Sequence, residues 1–336
     1  MTYSTGSHPE FVDAVDVNGD GKPDIIVANY GSNNVGVLRN IGNGTFAAQT
    51  TYSTWTGPFE LTVDDVNGDG KPDIIVANYG SNNAGVLLNT GNGTFAAQTT
   101  YSTGTWPNSV AAADVNGDGK PDIIVLNHSS NNVNVLLNTG NATFSAQATY
   151  STGPSPTSMI AVDFNGDNKP DIIVANSGSN NVGVLLNTGN GTFTSQTTYS
   201  AGSGPACVTA ADVNGDGKPD IIVVNYSSNN VGILLNKGNG TFSAQTTYST
   251  GQSPGSAAAV DVNGDNKPDI IVSNYGSNNA GVLLNIGNGA FAAQTTYSTG
   301  SGPTHVTAVD VNGDNKPDII VSNYGSNNAG VLLNYC

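Results

Sequence analysis

Short apolar runs recur along the chain at a fixed interval, and none of them has a helical period. The run Asp122-Ile-Ile-Val-Leu126 has a counterpart in every repeat, and its Ile-Ile-Val core is apolar on both faces, as in a strand buried between layers. The Asp that opens an acidic loop before each such run stands at 16, 65, 114, 163, 212, 261 and 310, a strict spacing of 49 without insertions. One unit reads from Tyr101 as a Gly/Pro-containing connector to Pro107, a run Ser109 to Val115, the acidic loop and the apolar run. A turn at Ser129 to Asn132, a run Val133 to Leu137, a turn at Thr139 to Ala142 and a run Thr143 to Tyr150 complete it. The pattern predicts four strands, A to D, joined by short Gly- and Asn-rich turns with no crossover helix. Strand A carries small residues (Ala112, Ala113, Ala210, Ala211, Ala258, Ala259), which suit crowding near a central axis, and on strand D Phe46, Ala48, Thr50 and Tyr52 share one face.

Four-stranded units of ~40–50 residues, repeated four to eight times, predict a β-propeller. Seven copies predict one all-β domain over 1–336 with seven four-stranded antiparallel blades. The last copy runs only through strand C, at Leu333-Asn334, while Thr2-Tyr3-Ser4-Thr5 matches Thr51-Tyr52-Ser53-Thr54. The N-terminal segment is therefore expected to pair into the last blade and close the ring, which removes sheet edges and favours a monomer. Because the supplied strand is short, this seam is expected to be the weakest part of the ring.

Composition agrees with many short strands and tight turns: 43 Gly, 15 Pro and only 10% charged residues. No apolar run approaches the ~18 residues of a spanning helix, so membrane insertion is not expected. Met1 leads straight into repeat sequence, and no signal peptide is read on this chain. The net charge of −16 is local, since 21 of the 25 acidic residues and seven of the nine basic ones sit in the seven acidic loops. With no basic surface to meet phosphates, a nucleic-acid partner is not expected. One divalent cation per loop would bring the net charge close to zero.

Each loop presents oxygen donors at positions 1, 3, 5 and 9, with the position-7 carbonyl turned inward, and a sharp turn at position 6. That is the ligand pattern of a calcium loop. In the first repeat the donors are Asp16, Asn18, Asp20, the Lys22 carbonyl and Asp24; in the second, Asp65, Asn67, Asp69, Lys71 and Asp73; in the third, Asp114, Asn116, Asp118, Lys120 and Asp122. The fourth has Asp163, Asn165, Asp167, Lys169 and Asp171, and the fifth Asp212, Asn214, Asp216, Lys218 and Asp220. The last two have Asp261, Asn263, Asp265, Lys267 and Asp269, then Asp310, Asn312, Asp314, Lys316 and Asp318. Position 6 is Gly or Asn throughout, and both tolerate a left-handed backbone. No Glu stands at position 12, so the loop joins strands and is not an EF-hand. Three carboxylates ~5 Å apart repel by roughly 3 kcal/mol per pair at an effective dielectric of ~20, which argues for about seven structural Ca2+ ions, one per blade.

Asp-Val-Asn-Gly-Asp-Gly-Lys-Pro-Asp-Ile-Ile-Val, followed by Asn-Val-Gly-Val-Leu-Leu-Asn and Gly-Asn-Gly-Thr-Phe, resembles the FG-GAP/VCBS repeat over essentially the whole chain. That repeat builds the seven-bladed propellers of integrin α-subunits and of certain calcium-containing mushroom lectins. The resemblance implies calcium loops on one face and ligand contacts on the other, or sugar sites repeated around the ring. Unlike integrins, this chain carries the loop in every blade and no accompanying domains, so an integrin role does not carry over.

Variation is concentrated in the D–A connectors, which lie opposite the loops in such a propeller. Four aromatics outside the repeat pattern (Phe11, Trp55, Phe59, Trp106) are read in connectors 1 to 3. Glu10, Asp13, Glu60 and Asp64 lie there or in the strands that follow, and His8 and His305 fall in connectors 1 and 7. Aromatic faces beside carboxylates suit sugar stacking, so Trp55, Phe59, Glu60, Trp106, Phe11, His8 and His305 are candidate ligand residues. The bland alternative is that they fill gaps between blades. The uniform B–C turns (Tyr30 to Asn34, Tyr79 to Asn83, Tyr324 to Asn328) offer a second, multivalent possibility, although Asn there commonly just forms turns. No nucleophile constellation is visible, and Cys207 and Cys336 are too far apart in the repeat for an internal disulfide. Asn43, Asn92, Asn141, Asn190 and Asn239 begin Asn-x-Thr sequons and Asn127 and Asn225 begin Asn-x-Ser.

The expectation is a calcium-stabilised, non-catalytic binding module, extracellular or at a cell surface, taking a carbohydrate. The alternatives are an adhesive propeller contacting an extracellular protein, or an engineered or consensus repeat propeller with no natural ligand.

Overall fold

The seven Asp-Ile-Ile-Val segments form the B strands, from Asp24–Asn29 to Asp318–Asn323, and every residue in them is buried. The structure, a computed structural model, describes residues 1–145 and 148–335. Each B strand lies between an A strand and a C strand, and seven four-stranded antiparallel sheets follow the order A-B-C-D. In blade 3 these are Pro107–Ala113, Asp122–Asn127, Asn132–Leu136 and Ala148–Ser151. The sheets stack face to face around a central axis that the A strands line, and an apolar cluster fills each space between neighbours. Between blades 1 and 2, for example, Ile26, Val35, Val37, Leu61, Ile74 and Val76 pack together.

The expected closure is present. Thr2–Ser4 pairs antiparallel with Asn328–Leu332, with Tyr3 opposite Ala329, and so supplies strand D of blade 7. In each complete interface the D-strand Tyr meets a Phe of the next blade edge-on and donates its hydroxyl to a turn carbonyl there. Tyr52 is 5.2 Å from Phe95 and donates to the Gly93 carbonyl at 3.2 Å. Tyr3 makes the same contacts across the seam, with Phe46 at 5.3 Å and the Gly44 carbonyl at 3.1 Å.

Two boundaries differ from the sequence reading. The segment Thr143 to Tyr150 divides, because Thr143–Phe144 pairs with Asn138–Gly140 as a separate hairpin and strand D begins at Ala148. The hairpin turns Phe144 onto Tyr101 of the preceding blade, at 5.0 Å. For the same reason Phe46 and Tyr52 do not share a face: one packs on blade 7, the other on blade 2. Strand A starts earlier than expected, at the proline, and includes a β-bulge. Pro9 pairs with Asn29 and Phe11 with Ala28, leaving Glu10 as the extra residue. Phe11, Phe59 and His305 therefore stand on strand A itself rather than in connectors, and Glu10 and Glu60 stand on it too.

Candidate functional site

On one face, the A–B loops wrap around their first Asp. Asp16 Oδ1 accepts the N–H groups of Asn18, Gly19 and Asp20 at 3.1, 2.7 and 3.2 Å, and Oδ2 accepts that of Gly21 at 2.7 Å. Burial works against its charge, yet these four donors hold the Asp16 carboxyl below the usual carboxylate range. The turn needs a left-handed residue at position 6, as expected: Gly21 has φ +79° and Asn168 φ 64°. The position-9 Asp24 is fully buried, with Oδ1 taking the Asn40 N–H at 2.7 Å and Oδ2 the Val17 N–H at 3.3 Å. Asn40 in turn donates its side-chain amide to the Val311 carbonyl in the loop of blade 7, at 2.9 Å. Each loop is thereby tied to the neighbouring one.

Among the described residues no three acidic, His or Cys side chains close around a common point, so the loops are not finished cages. Their donor chemistry nevertheless fits a hard divalent cation, with carboxylate and amide oxygens only. The carboxylates also repel: burial pushes Asp24 up to about 6, and the charges of Asp20 and Asp16 add to it. In six of the seven loops a Lys ammonium leans on the position-5 Asp, as Lys71 does on Asp69 at 2.7 Å, a small compensating charge in water. The loop residues could hold calcium through Asp16, Asn18, Asp20 and their counterparts, with Asp24 bracing the loop from below.

The opposite face opens into the central channel, a cavity of about 910 Å³. Its mouth carries the residue that follows the B strand in six of the seven blades: Tyr30, Tyr79, His128, Tyr226, Tyr275 and Tyr324 line it, while blade 4 has Ser177 at this position. Sequence reasoning treated these positions as parts of Asn-rich turns; their shared spacing of 49 and aromatic character were the available signal. Into this collar the structure brings most of the candidate ligand residues. His8 stacks on Tyr324 at 4.5 Å, Phe11 on His305 at 3.8 Å, Phe59 on Tyr79 at 5.6 Å, and Trp106 on Tyr79 at 5.4 Å and His128 at 6.4 Å. An aromatic arc thus runs across blades 7, 1, 2 and 3. Trp55 does not join it: the ring is 56% exposed and has no ring contact among the described residues.

The polar groups of the channel are unequal. His305 donates its Nδ1–H to the Val12 carbonyl at 3.0 Å, and burial lowers its pKa to about 4, so it is neutral, with its proton on Nδ1. Burial pushes the Cys207 thiol up. Glu10 and Glu60 line the cavity, and burial raises them to about 7 and about 8. Asp13 is raised by burial as well, and Cys336 lies outside the described residues.

Compared with known families, residues 16–64, 65–125, 114–174, 163–223, 212–272 and 261–321 match the FG-GAP-like repeat. The chain belongs to the FG-GAP-like repeat family. A comparison with curated protein sequences finds no match. Solved structures resemble this FG-GAP-like propeller in fold. A streptogramin B lyase has a TM-score of 0.71 and 17% identity, over 99% of this chain and 96% of that one. BBS1N, solved in complex with ARL6DN, has a TM-score of 0.69 and 13% identity, over 99% and 94%. An Agrocybe aegerita lectin that recognises non-reducing terminal N-acetylglucosamine has a TM-score of 0.62 and 22% identity, over 86% and 80%. At these identities the likeness is one of fold.

Proposed function

We propose that this FG-GAP-like propeller is a calcium-stabilised, non-catalytic module that binds carbohydrate at the mouth of its central channel. The observation that carries the reading is the aromatic arc from His8 and Tyr324 to Trp106 and His128, open to a cavity of small-ligand size. Flat rings beside carboxylates supply what a sugar needs, apolar faces for its C–H surface and acceptors for its hydroxyls. The lectin among the structures of similar fold, which recognises N-acetylglucosamine, supports the reading. The non-catalytic reading rests on the channel groups: the His305 and His128 Nδ1 atoms are committed to backbone carbonyls, and the Cys207 thiol is held neutral.

Calcium in the loops would act structurally, because each loop is bonded to its neighbour through a buried Asn such as Asn40. Sites of millimolar affinity would each add about 1 kcal/mol at the calcium level outside cells, which supports an extracellular setting. Thermal melts in calcium, after chelation, and in calcium with added oligosaccharides test both halves. The melting temperature is expected to fall on chelation and to rise with a subset of sugars. An unchanged melt on chelation, at micromolar residual calcium, would sink the structural role; no response to any glycan would sink the carbohydrate reading.

A further inference from the structure

At the bulge position of strand A, several blades carry a donor that reaches the proline carbonyl of the next blade. Asn108 Nδ2 donates to the Pro156 carbonyl at 3.0 Å, Thr157 Oγ1 to that of Pro205 at 2.8 Å, and Thr304 Oγ1 to that of Pro9 at 3.2 Å. In blade 1 the same position holds Glu10. The Glu10 side chain makes no such bond to the next blade and has no hydrogen-bond partner among the described residues, although it lines the cavity. A second acid, Glu60, stands one position further along strand A of blade 2, where blades 3 and 4 have Ser109 and Ser158. Its Oε1 takes the Ser109 hydroxyl at 2.8 Å and the Val110 N–H at 3.3 Å, as Ser158 takes the Val208 N–H at 3.2 Å in blade 4. Its Oε2 has no partner among the described residues.

No lysine or arginine lines this cavity, and of its two histidines His305 is neutral. Seven lysines belong to the loops of the opposite face, and Arg39 and Lys237 stand on the outer hairpins. Two acids thus face one aromatic-walled space with no lysine or arginine beside them. A neutral ligand leaves them without a counter-charge, whereas an ammonium group stabilises their ionised form and gains from the tyrosine rings that line the space as well.

We infer that the sugar taken at the channel mouth carries a free amine, with its ring on the aromatic arc and its ammonium paired with the Glu10 and Glu60 carboxylates. The inference rests on the carbohydrate reading of the same site. Acetylation of the amine removes the charge and with it the preference.

The test uses the calcium-loaded full chain with Trp55→Phe, which leaves Trp106, at the mouth, as the one tryptophan whose fluorescence reports binding. Trimers of β-1,4-linked glucosamine, N-acetylglucosamine and glucose are titrated at neutral pH and physiological salt, with trilysine as a control for plain attraction to an acidic protein. The glucosamine trimer is expected to bind about tenfold or more tightly than the two neutral trimers and than trilysine. Glu10→Gln with Glu60→Gln is expected to erase that preference, bringing the glucosamine trimer down to the affinity of the neutral trimers for the same variant. Should the double variant not fold, Glu10→Gln alone, which removes no hydrogen bond among the described residues, is expected to lower the preference severalfold. Equal binding of the acetylated trimer, equal binding of trilysine, or a preference that survives the Gln substitutions overturns the inference while the carbohydrate reading stands. Failure of every trimer overturns both.

Discussion

Where blade 4 closes its inner ring with Ser158, blade 2 carries Glu60, and the exchange places a titratable group in a site built for a hydroxyl. Burial raises its pKa from 4.5 to about 8, against the Ser109 and Val110 hydrogen bonds that favour the charged form. The folded state therefore prefers the protonated acid. Its stability contribution is fully present below the unfolded pKa near 4.5 and is lost as pH rises through 8. Facing Glu60 are the Ser109 hydroxyl, the Val110 N–H and, farther off, the Cys207 thiol, which burial keeps neutral over this range. Glu60→Gln is expected to leave the melting temperature unchanged at pH 5 and to stabilise the protein at pH 9 by roughly 1–2 kcal/mol, allowing for water in the channel. An equal effect at both pH values would contradict the assignment. Trp106 shows a second cost carried at the mouth. The equivalent residues Gly57, Gly204 and Gly302 accept a left-handed backbone freely, whereas Trp106 adopts φ 57° at an expense of about 1–2 kcal/mol, a cost shared by His8, Ser155 and Ser253 in their blades.

Among the elements, the hairpin between strands C and D decides how blades grip one another. Six D-strand tyrosines, counting Tyr3, pack edge-on against a hairpin Phe of the next blade. Tyr297 has no such partner among the described residues and is 46% exposed. The seam expected at Thr2–Ser4 is thus gripped like the other joints on its blade 1 side, and the thinner joint is that between blades 6 and 7. Tyr52→Ala is expected to cost about 2–3 kcal/mol, whereas Tyr297→Ala costs less than about 0.5 kcal/mol, read from denaturant or thermal unfolding. Hydrogen exchange should then be faster at Thr295–Ser298 than at Thr50–Ser53. The strand count, the ring and its closure were legible because a 49-residue repeat with a doubly apolar B strand admits few architectures. The bulge was not, since it depends on how Pro9 pairs with Asn29, which no local pattern announces. The candidate ligand residues were legible only as departures from the repeat. Tyr30 and Tyr79 escaped notice because they obey it, and Trp55, which departs from it, stayed outside.

At the level of the whole ring, the seven acidic loops form one connected system. The side-chain amide of Asn138 donates to the Val66 carbonyl of the preceding loop at 2.8 Å, while its backbone N–H binds Asp122 Oδ1 at 2.7 Å. Asn187 and Asp171 repeat the arrangement one blade on, reaching the Val115 carbonyl at 3.0 Å. A cation that fixes one loop therefore also fixes the carbonyl on which the next blade's buried Asn depends. Loss of a single site should loosen two joints without splitting the ring into separately melting parts, because the apolar clusters between blades remain continuous. Asp163→Ala removes the residue around which the fourth loop wraps. It is expected to reduce the calcium stoichiometry from seven to six, measured by calorimetric titration of the chelator-stripped protein. It should also lower stability in millimolar calcium by about 1–2 kcal/mol in a single cooperative transition. A second, earlier transition would mean that the blades act independently, and an unchanged stoichiometry would mean that the fourth loop holds no ion.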